Sequence, residues 1–448
     1  MKKVTLAFLL LGAMAAKAQE VKNDTIKTVT IESLKETVDE HSMKFSGFEE
    51  RFSTAESLLD KLSKIKISGY IQAQYEMYDT WTAAGIHGVQ TSSASTTQGA
   101  SATNVTSSFF LRRARIKFTY EALDGIKFVM QPEFAFDKVS VKDAYVVLND
   151  RWAKTFSLTL GQFDRPNYEV EYSSGALENI ERTKMSKTLY PGERDLGVKL
   201  EANFDTKYGI PLKLKLAVLN GNFNLGTTTN QVKDVDSNKD ILARAIYSFK
   251  FPNAGLGIDI GGHGYFGKTE ILPGTTLTGF KDANNTPLTV AVGNKLDKKW
   301  FGAEMQVYYD FLGGMALKGE YIAGTNSGVS EKLLANYNSE FPLNGERKFA
   351  GFYTQLIKNV GVKNQFVARY DSWDPNTKLA GNNVATKDEL KYTTLSMSWI
   401  YFFDENIKIN MGYTMPTNEK STNVGVGTDY LNRDKKDNIF TLRIQATF

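Results

Sequence analysis

Cysteine is absent from the chain, which excludes a disulfide framework, a thiolate metal site, a cysteine nucleophile and a lipid-modified N-terminal cysteine. Histidine is nearly absent: His41, His87 and His263 are the only three. A Ser-His-Asp hydrolase needs a histidine held beside its serine and carboxylate, and His263, between glycines in a strand-like stretch, is the sole candidate. No catalytic residue is assigned on that basis, the protein is not expected to be an enzyme, and no metal or other cofactor is expected. Beyond the N-terminus no run of eighteen apolar residues occurs, so no transmembrane helix is predicted. Proline is sparse, at 10 of 448 residues. The glycine clusters at 255–258 and 261–264 have no helix after them and are strand glycines rather than phosphate cradles.

The first residues carry Lys2 and Lys3, an apolar run from Val4 to Ala16, and small residues at Ala16 and Ala18. This is the layout of a secretory signal peptide with cleavage after Ala18. Its removal takes Lys2, Lys3 and Lys17 from the 54 basic residues and leaves them almost balanced against 50 acidic ones. No nucleic acid or other polyanion partner follows from that balance. What is plentiful is aromatic, 12% of the chain, chiefly Phe and Tyr. The composition is that of an exported, β-rich protein.

Residues 19–65 have a different rhythm from the rest. Ile31, Leu34, Val38, His41, Phe45, Phe48, Phe52, Ala55, Leu59 and Leu62 are spaced alternately by three and four, the seam of a heptad repeat. The spacing predicts a short helical segment, either a coiled coil that joins copies of the chain or an amphipathic helix packed on its own chain. The tract at 91–108, rich in Ser, Thr, Ala and Gly, reads as a surface loop.

From Lys66 to the C-terminus the period is two. Alternation predicts a strand at 67–78 and others at about 109–121, 125–136, 141–149, 155–163, 195–204, 212–221, 240–251, 256–267, 299–310, 315–325, 348–358, 362–373, 391–402, 406–415 and 437–448. A further strand at 286–294 is a competing reading. The connections sort by parity: short turns alternate with long loops at 80–108, 164–194, 222–239, 268–298, 326–347, 374–390 and 416–436, with one short exception near 137–140. Most of these strands are close to the ~9–11 residues that a tilted strand needs to cross a bilayer, and their alternation of short turns with long loops is the signature of a transmembrane β-barrel. A soluble sandwich has no reason to sort its loops. The prediction is an all-β, 16-stranded antiparallel barrel over 66–448 in the bacterial outer membrane, surrounded by lipid. Both chain ends then fall on the periplasmic side, with the helical segment beneath the barrel. The final strand ends on Phe448, the form of terminal signal read by the barrel insertion machinery.

In a membrane barrel the apolar face of a strand meets lipid and the polar face a wet lumen. At 109–121, Ala114, Ile116, Phe118 and Tyr120 share one face, and Arg113, Arg115, Lys117, Thr119 and Glu121 the other. The same alternation turns Lys127, Lys199, Lys213, Lys215, Arg244 and Arg443 inward, with Glu133, Asp195 and Glu201. Basic side chains lining a constriction favour anions, and a guanidinium suits an oxyanion. Arg113, Arg115, Lys117, Lys127, Lys199 and Arg244, with Arg182 and Arg194 flanking the loop at 164–194, are the candidate anion-binding residues of a pore. Charges of this kind also serve simply as paired wall residues.

Leu111 to Phe118 (LRRARIKF), Gly125, Gln131-Pro132-Glu133, Asp143-Ala144-Tyr145, Gly161-Gln162-Phe163, Pro166, Glu169, Glu181-Arg182-Thr183, Pro191, Arg194 and Gly197 follow one another in an order that resembles the phosphate-selective porin O and P family. The resemblance implies a trimeric porin whose third long loop folds into the lumen, the place that 164–194 occupies here. Asp164 stands where a basic residue is common in that family, with Arg165 beside it. The function expected is passive diffusion of small hydrophilic solutes with an anion bias, phosphate or other oxyanions among them. The alternative is a structural envelope protein, a plugged barrel tethered by its periplasmic coil.

Overall fold

The computed structural model describes residues 31–80, 106–135, 138–221, 234, 236–328 and 344–448. The expected signal peptide, His87 and most of the 91–108 tract lie outside the described residues. The chain divides into two units, Met1–Ser63 and Lys64–Phe448.

In the first unit Ile31–Ser63 is one helix, α1. No proline interrupts it, and Lys61 in its last turn complements the negative end of the helix dipole. Val38, Phe45, Phe48, Phe52, Leu59 and Leu62 are all exposed on it, an apolar seam with the predicted spacing.

The second unit is a closed barrel of sixteen antiparallel strands, each paired with the next in sequence and the last with the first. These are β1 (Ile65–Tyr78), β2 (Ser107–Leu123), β3 (Ile126–Ala135), β4 (Lys138–Asn149), β5 (Phe156–Asp164), β6 (Arg194–Asn203), β7 (Leu212–Leu219) and β8 (Asp240–Phe251). The second half comprises β9 (Leu256–Glu270), β10 (Lys295–Tyr309), β11 (Met315–Gly328), β12 (Gly345–Val360), β13 (Asn364–Asp374), β14 (Tyr392–Phe402), β15 (Ile407–Asn418) and β16 (Ile439–Thr447). The parity of the connections is as predicted. β10 and β12 start earlier than alternation places them, because their first residues, such as Lys295, Asp297, Glu346 and Arg347, are polar strand beyond the apolar band and carry no hydrophobic signal. Residues 286–294 add no strand; they belong to the β9–β10 loop, where Lys281 makes a single bridge with Pro287.

The barrel closes where β1 meets β16. Gly69 and Phe448 exchange backbone hydrogen bonds of 2.9 and 3.0 Å. A Cβ at Gly69 would lie 2.3 Å from the Arg115 carbonyl oxygen, so only glycine permits this approach.

Outside, the barrel wears apolar side chains: Leu160, Leu200, Leu216, Ile260, Met305, Leu317, Leu356 and Met397 are exposed. Aromatic residues gather toward both rims, Phe156, Phe249 and Tyr309 at the short-turn end and Phe109, Phe301 and Tyr370 toward the other. Inside are the polar side chains and, unusually, an apolar cluster. Phe163, Tyr168, Val170, Met185, Leu189, Tyr190, Tyr265, Trp300, Phe349, Tyr353 and Trp373 pack together, joining the inward faces of the β8–β13 wall to the β5–β6 loop. An apolar outer belt with aromatic girdles and a polar interior is a barrel built for a bilayer.

Candidate functional site

The site is the lumen, and two bulges shape its wall. In the β1–β2 pair Gln72 faces Arg113 and Ala73 faces Leu111, which leaves Arg112 as an extra residue. In the β3–β4 pair Gln131 faces Asp143 and Pro132 faces Val141, leaving Lys142 extra. Proline has no N–H for the ladder, so a bulge beside Pro132 costs little. A bulge lets neighbouring residues point the same way. Arg112 and Arg113 therefore both reach the lumen, as do Lys142 and Asp143. Strict alternation places Arg112 and Lys142 against lipid and misses both. Their signal in the sequence is a pair of adjacent charged residues within a membrane strand, one of which must otherwise face hydrocarbon.

The β5–β6 loop, the third on the long-loop side, enters the lumen. It carries two short helices, α2 (Tyr168–Glu171) and α3 (Lys184–Leu189). Asn167 caps α2 by accepting from the Val170 N–H, and Thr183 caps α3 by accepting from the Ser186 N–H. Glu169 ties the helices together, accepting from the Thr183 N–H at 2.9 Å and the Thr183 hydroxyl at 2.6 Å, and from the Ser186 hydroxyl. Arg182 donates to the carbonyls of Glu169, Val170 and Tyr172, to the Ser174 hydroxyl and to Glu193. All its donors are thus spent inside the loop. Gly192 and Glu193 are both left-handed, with φ of 69° and 67°. Glu193 holds this uncommon conformation while bridging Arg182 and Arg194 with its two carboxylate oxygens.

Contacts to opposite walls hold the loop in place. On one side Asn167 donates to Glu320 at 2.7 Å, and Lys318 to Glu178 at 2.6 Å. On the other, Gln445 and Lys408 donate to the Gly175 carbonyl, and Gln72 to that of Ser174. Among the described residues Glu181 gathers the largest set of cations. It receives a bidentate pair from Arg112 at 2.8 and 2.9 Å and a bond from Arg443 at 2.8 Å, with Arg113 and Lys187 each at 3.7 Å. Burial alone raises a carboxyl, but here the surrounding positive charge outweighs it and holds Glu181 well below the usual carboxylate range. Glu193 is lowered in the same way, chiefly by Arg182 and Arg194 against burial.

The arginines proposed from sequence are consequently buried and paired. Arg113 donates to Gln72 at 3.0 Å, and Arg115 to Glu133 at 2.6 Å. Arg194 meets Asp143 and Asp164, each at 3.0 Å, and Arg244 lies between Glu171 and Glu304. The lysines differ. Lys117 is half-buried and has no hydrogen-bond or ion-pair partner among the described residues. Lys127 is 3.8 Å from Glu121 and 42% exposed. Lys199 lies 3.2 Å from Glu201, which also meets Lys215. Lys142, 3.0 Å from Glu133, keeps a 23% exposed side chain. Lys213 is exposed. All stand on the inward face of β2–β7, on strands next to one another. Arg369, bonded to the Glu181 carbonyl at 2.7 Å, and Lys318 and Lys408 complete the loop's basic contacts and escape prediction, because each is defined by a partner far away in sequence.

The model of the phosphate-selective porin O and P family matches residues 88–448. The chain belongs to that family. The porin's barrel is also similar to OprB of Pseudomonas putida at high pH, with 9% identity, coverage of 89% of this chain and 97% of that one, and a TM-score of 0.53. The outer membrane channel DcaP of Acinetobacter baumannii has 12% identity over 86% of this chain and 97% of its own, at a TM-score of 0.46. A loop-deleted OmpT of Vibrio cholerae has 12% identity over 86% and 99%, at 0.48. No curated protein matches the sequence. Family membership and the closed barrel together place this porin in the bacterial outer membrane.

Proposed function

We propose that this porin passes small hydrophilic solutes with a bias toward anions, phosphate and other oxyanions among them, and that the bias is carried by lysines rather than by the buried arginines. The observation that supports this is the row of partly exposed cations on β2–β6, Lys117, Lys127, Lys142 and Lys199, beside which Glu121, Asp164 and Glu201 are the partly exposed carboxylates, Asp164 being taken up by Arg194. An ammonium on a flexible stem, loosely paired, holds an anion weakly enough to release it, as conduction requires. Arg112, Arg113 and Arg443 add a positive background around Glu181. The test is the reversal potential of the detergent-purified protein in a planar bilayer under a KCl gradient, followed by titration of phosphate against the chloride current. Reversal on the anion side, reduced by Lys117→Glu and Lys199→Glu, supports the reading. Conductance without ion preference leaves a general diffusion porin.

A second reading, a plugged barrel with a structural role, is favoured by the bonds that loop 3 makes to both walls. Folded protein that passes no current would decide for it. The exposed seam of α1 is in either case suited to joining copies of the chain, a homotrimer being the expected assembly. Removal of 31–63 followed by native mass spectrometry tests this: trimers that persist assign assembly to the barrel wall.

A further inference from the structure

His263, Glu304 and Glu320 stand on the inward faces of three successive strands, β9, β10 and β11, at the foot of loop 3. Glu304 lies directly opposite Glu320 in the β10–β11 register, and His263 lies opposite Gly302, the neighbouring inward position on β10. One ligand atom from each residue falls within 4.8 Å of the others. All three side chains are buried, at 3–4% exposure.

The neighbours occupy only one side of each group. Arg244 donates to Oε1 of Glu304 at 2.6 Å, and Asn167 to Oε1 of Glu320 at 2.7 Å. Tyr190 and Asn167 stand 3.3 and 3.5 Å from Nε2 of His263. Nδ1 of His263, Oε2 of Glu304 and Oε2 of Glu320 have no hydrogen-bond partner among the described residues. The wall is hollowed to fit the groups: a Cβ at Gly302 would lie 2.0 Å from Cε1 of His263, and one at Gly261 would lie 2.6 Å from Oε1 of Glu304.

Two carboxylates directly opposed across a sheet repel each other, and burial magnifies the cost unless a positive charge offsets it. Arg244 is the guanidinium at hand, and it is shared with Glu171. We propose that His263, Glu304 and Glu320 bind one divalent transition-metal cation of the zinc or manganese class. One imidazole nitrogen with two carboxylate oxygens suits such an ion better than calcium or magnesium, which favour an all-oxygen shell. Asn167 and Tyr190, both from loop 3, touch the ligands from outside, the position from which a second layer of partners orients them. The ion thereby braces the loop against the β9–β11 wall. Nothing in this depends on the ion preference of the pore.

The experiment uses full-length protein in detergent, unfolded with EDTA, refolded without metal, and offered Zn²⁺ alone. Equilibrium dialysis with elemental analysis is expected to find one ion per chain in the wild type, accompanied by a rise in Tm. Glu320→Gln and His263→Ala are expected to lose the bound ion and the Tm response. Because Glu320→Gln also removes a like charge, its metal-free form is expected to melt at or above the metal-free wild type, which shows that the variant folds. Absence of bound zinc in the wild type, or equal binding by Glu320→Gln, would overturn the proposal. Binding is read here without any current, so failure of the site and failure of the porin reading are separate results.

Discussion

The Gln162 side-chain amide donates to the carbonyl of Lys142 at 2.8 Å and also to that of Val141 at 2.7 Å. The β4–β5 ladder begins at Ala144 and Gln162, so the carbonyls of the bulge have no strand partner on that side, and a side chain serves in its place. Gln162→Leu is expected to destabilise the barrel by about 1–3 kcal/mol, the cost of leaving buried acceptors unpaired. Urea unfolding of the protein in detergent, followed by tryptophan fluorescence, measures it; an unchanged midpoint would mean that the bulge relaxes without its cap.

Lysines and arginines of the lumen are expected to respond differently to substitution. Lys117→Glu, at a side chain without a hydrogen-bond or ion-pair partner among the described residues, is expected to shift the reversal potential toward cations and to leave the unfolding midpoint within about 0.5 kcal/mol of wild type. Arg182→Ala strips loop 3 of its internal staple and is expected to cost about 3 kcal/mol or more, because the carbonyls of Glu169, Val170 and Tyr172, the Ser174 hydroxyl and Glu193 all lose a donor. Paired measurements of current and stability on both variants distinguish a conducting cation from a structural one.

Acid is expected to loosen loop 3. The folded values of Glu181 and Glu193 lie below the ordinary carboxyl value of 4.5. Their stabilisation is therefore complete above that value and disappears as pH falls through the folded values. Single-channel recording from pH 7 down to pH 3 is expected to show added noise or stepwise openings only below about 4.5. Glu193→Gln is expected to bring the same behaviour to pH 7. Loosening that sets in already above about 4.5 would detach the loop's anchorage from these two carboxylates.

Deletion of Arg112 makes a further contrast. The bulge residue has no partner in the β1–β2 register, so its removal leaves Leu111 opposite Ala73 and Arg113 opposite Gln72 with every face preserved. The barrel is expected to fold, as judged by its heat-modifiable migration on gels, while Glu181 loses its bidentate partner and the acid threshold for loop release moves upward. A barrel that fails to fold would show that the bulge sets strand curvature as well as side-chain direction.

Much of this molecule is legible from alternation, because a membrane barrel writes its two faces directly into every second residue. Sixteen strands, the parity of the loops and the inward direction of Arg113, Arg115, Lys127, Lys199 and Arg244 all follow from it. The bulges do not, since one extra residue such as Arg112 or Lys142 leaves the flanking pattern nearly intact. Pairing is hidden for a different reason. Arg443 and Glu181 are 262 residues apart, and no periodicity connects them. Whether a lumenal cation is free or locked therefore depends on loop carboxylates that only the folded loop brings into place.

The bonds between Gly69 and Phe448 carry a consequence for how the molecule comes to exist. The edge of β1 has its complement in β16, with fourteen strands between them in sequence, so until β16 arrives the growing sheet has two unsatisfied edges. Each is an invitation to another chain's strand. Closure also restricts the ends of nearly the whole sequence at once, a large loss of chain freedom redeemed only at the final step. Folding here is a race between β16 and the strands of neighbouring chains, and it is won when β16 reaches β1.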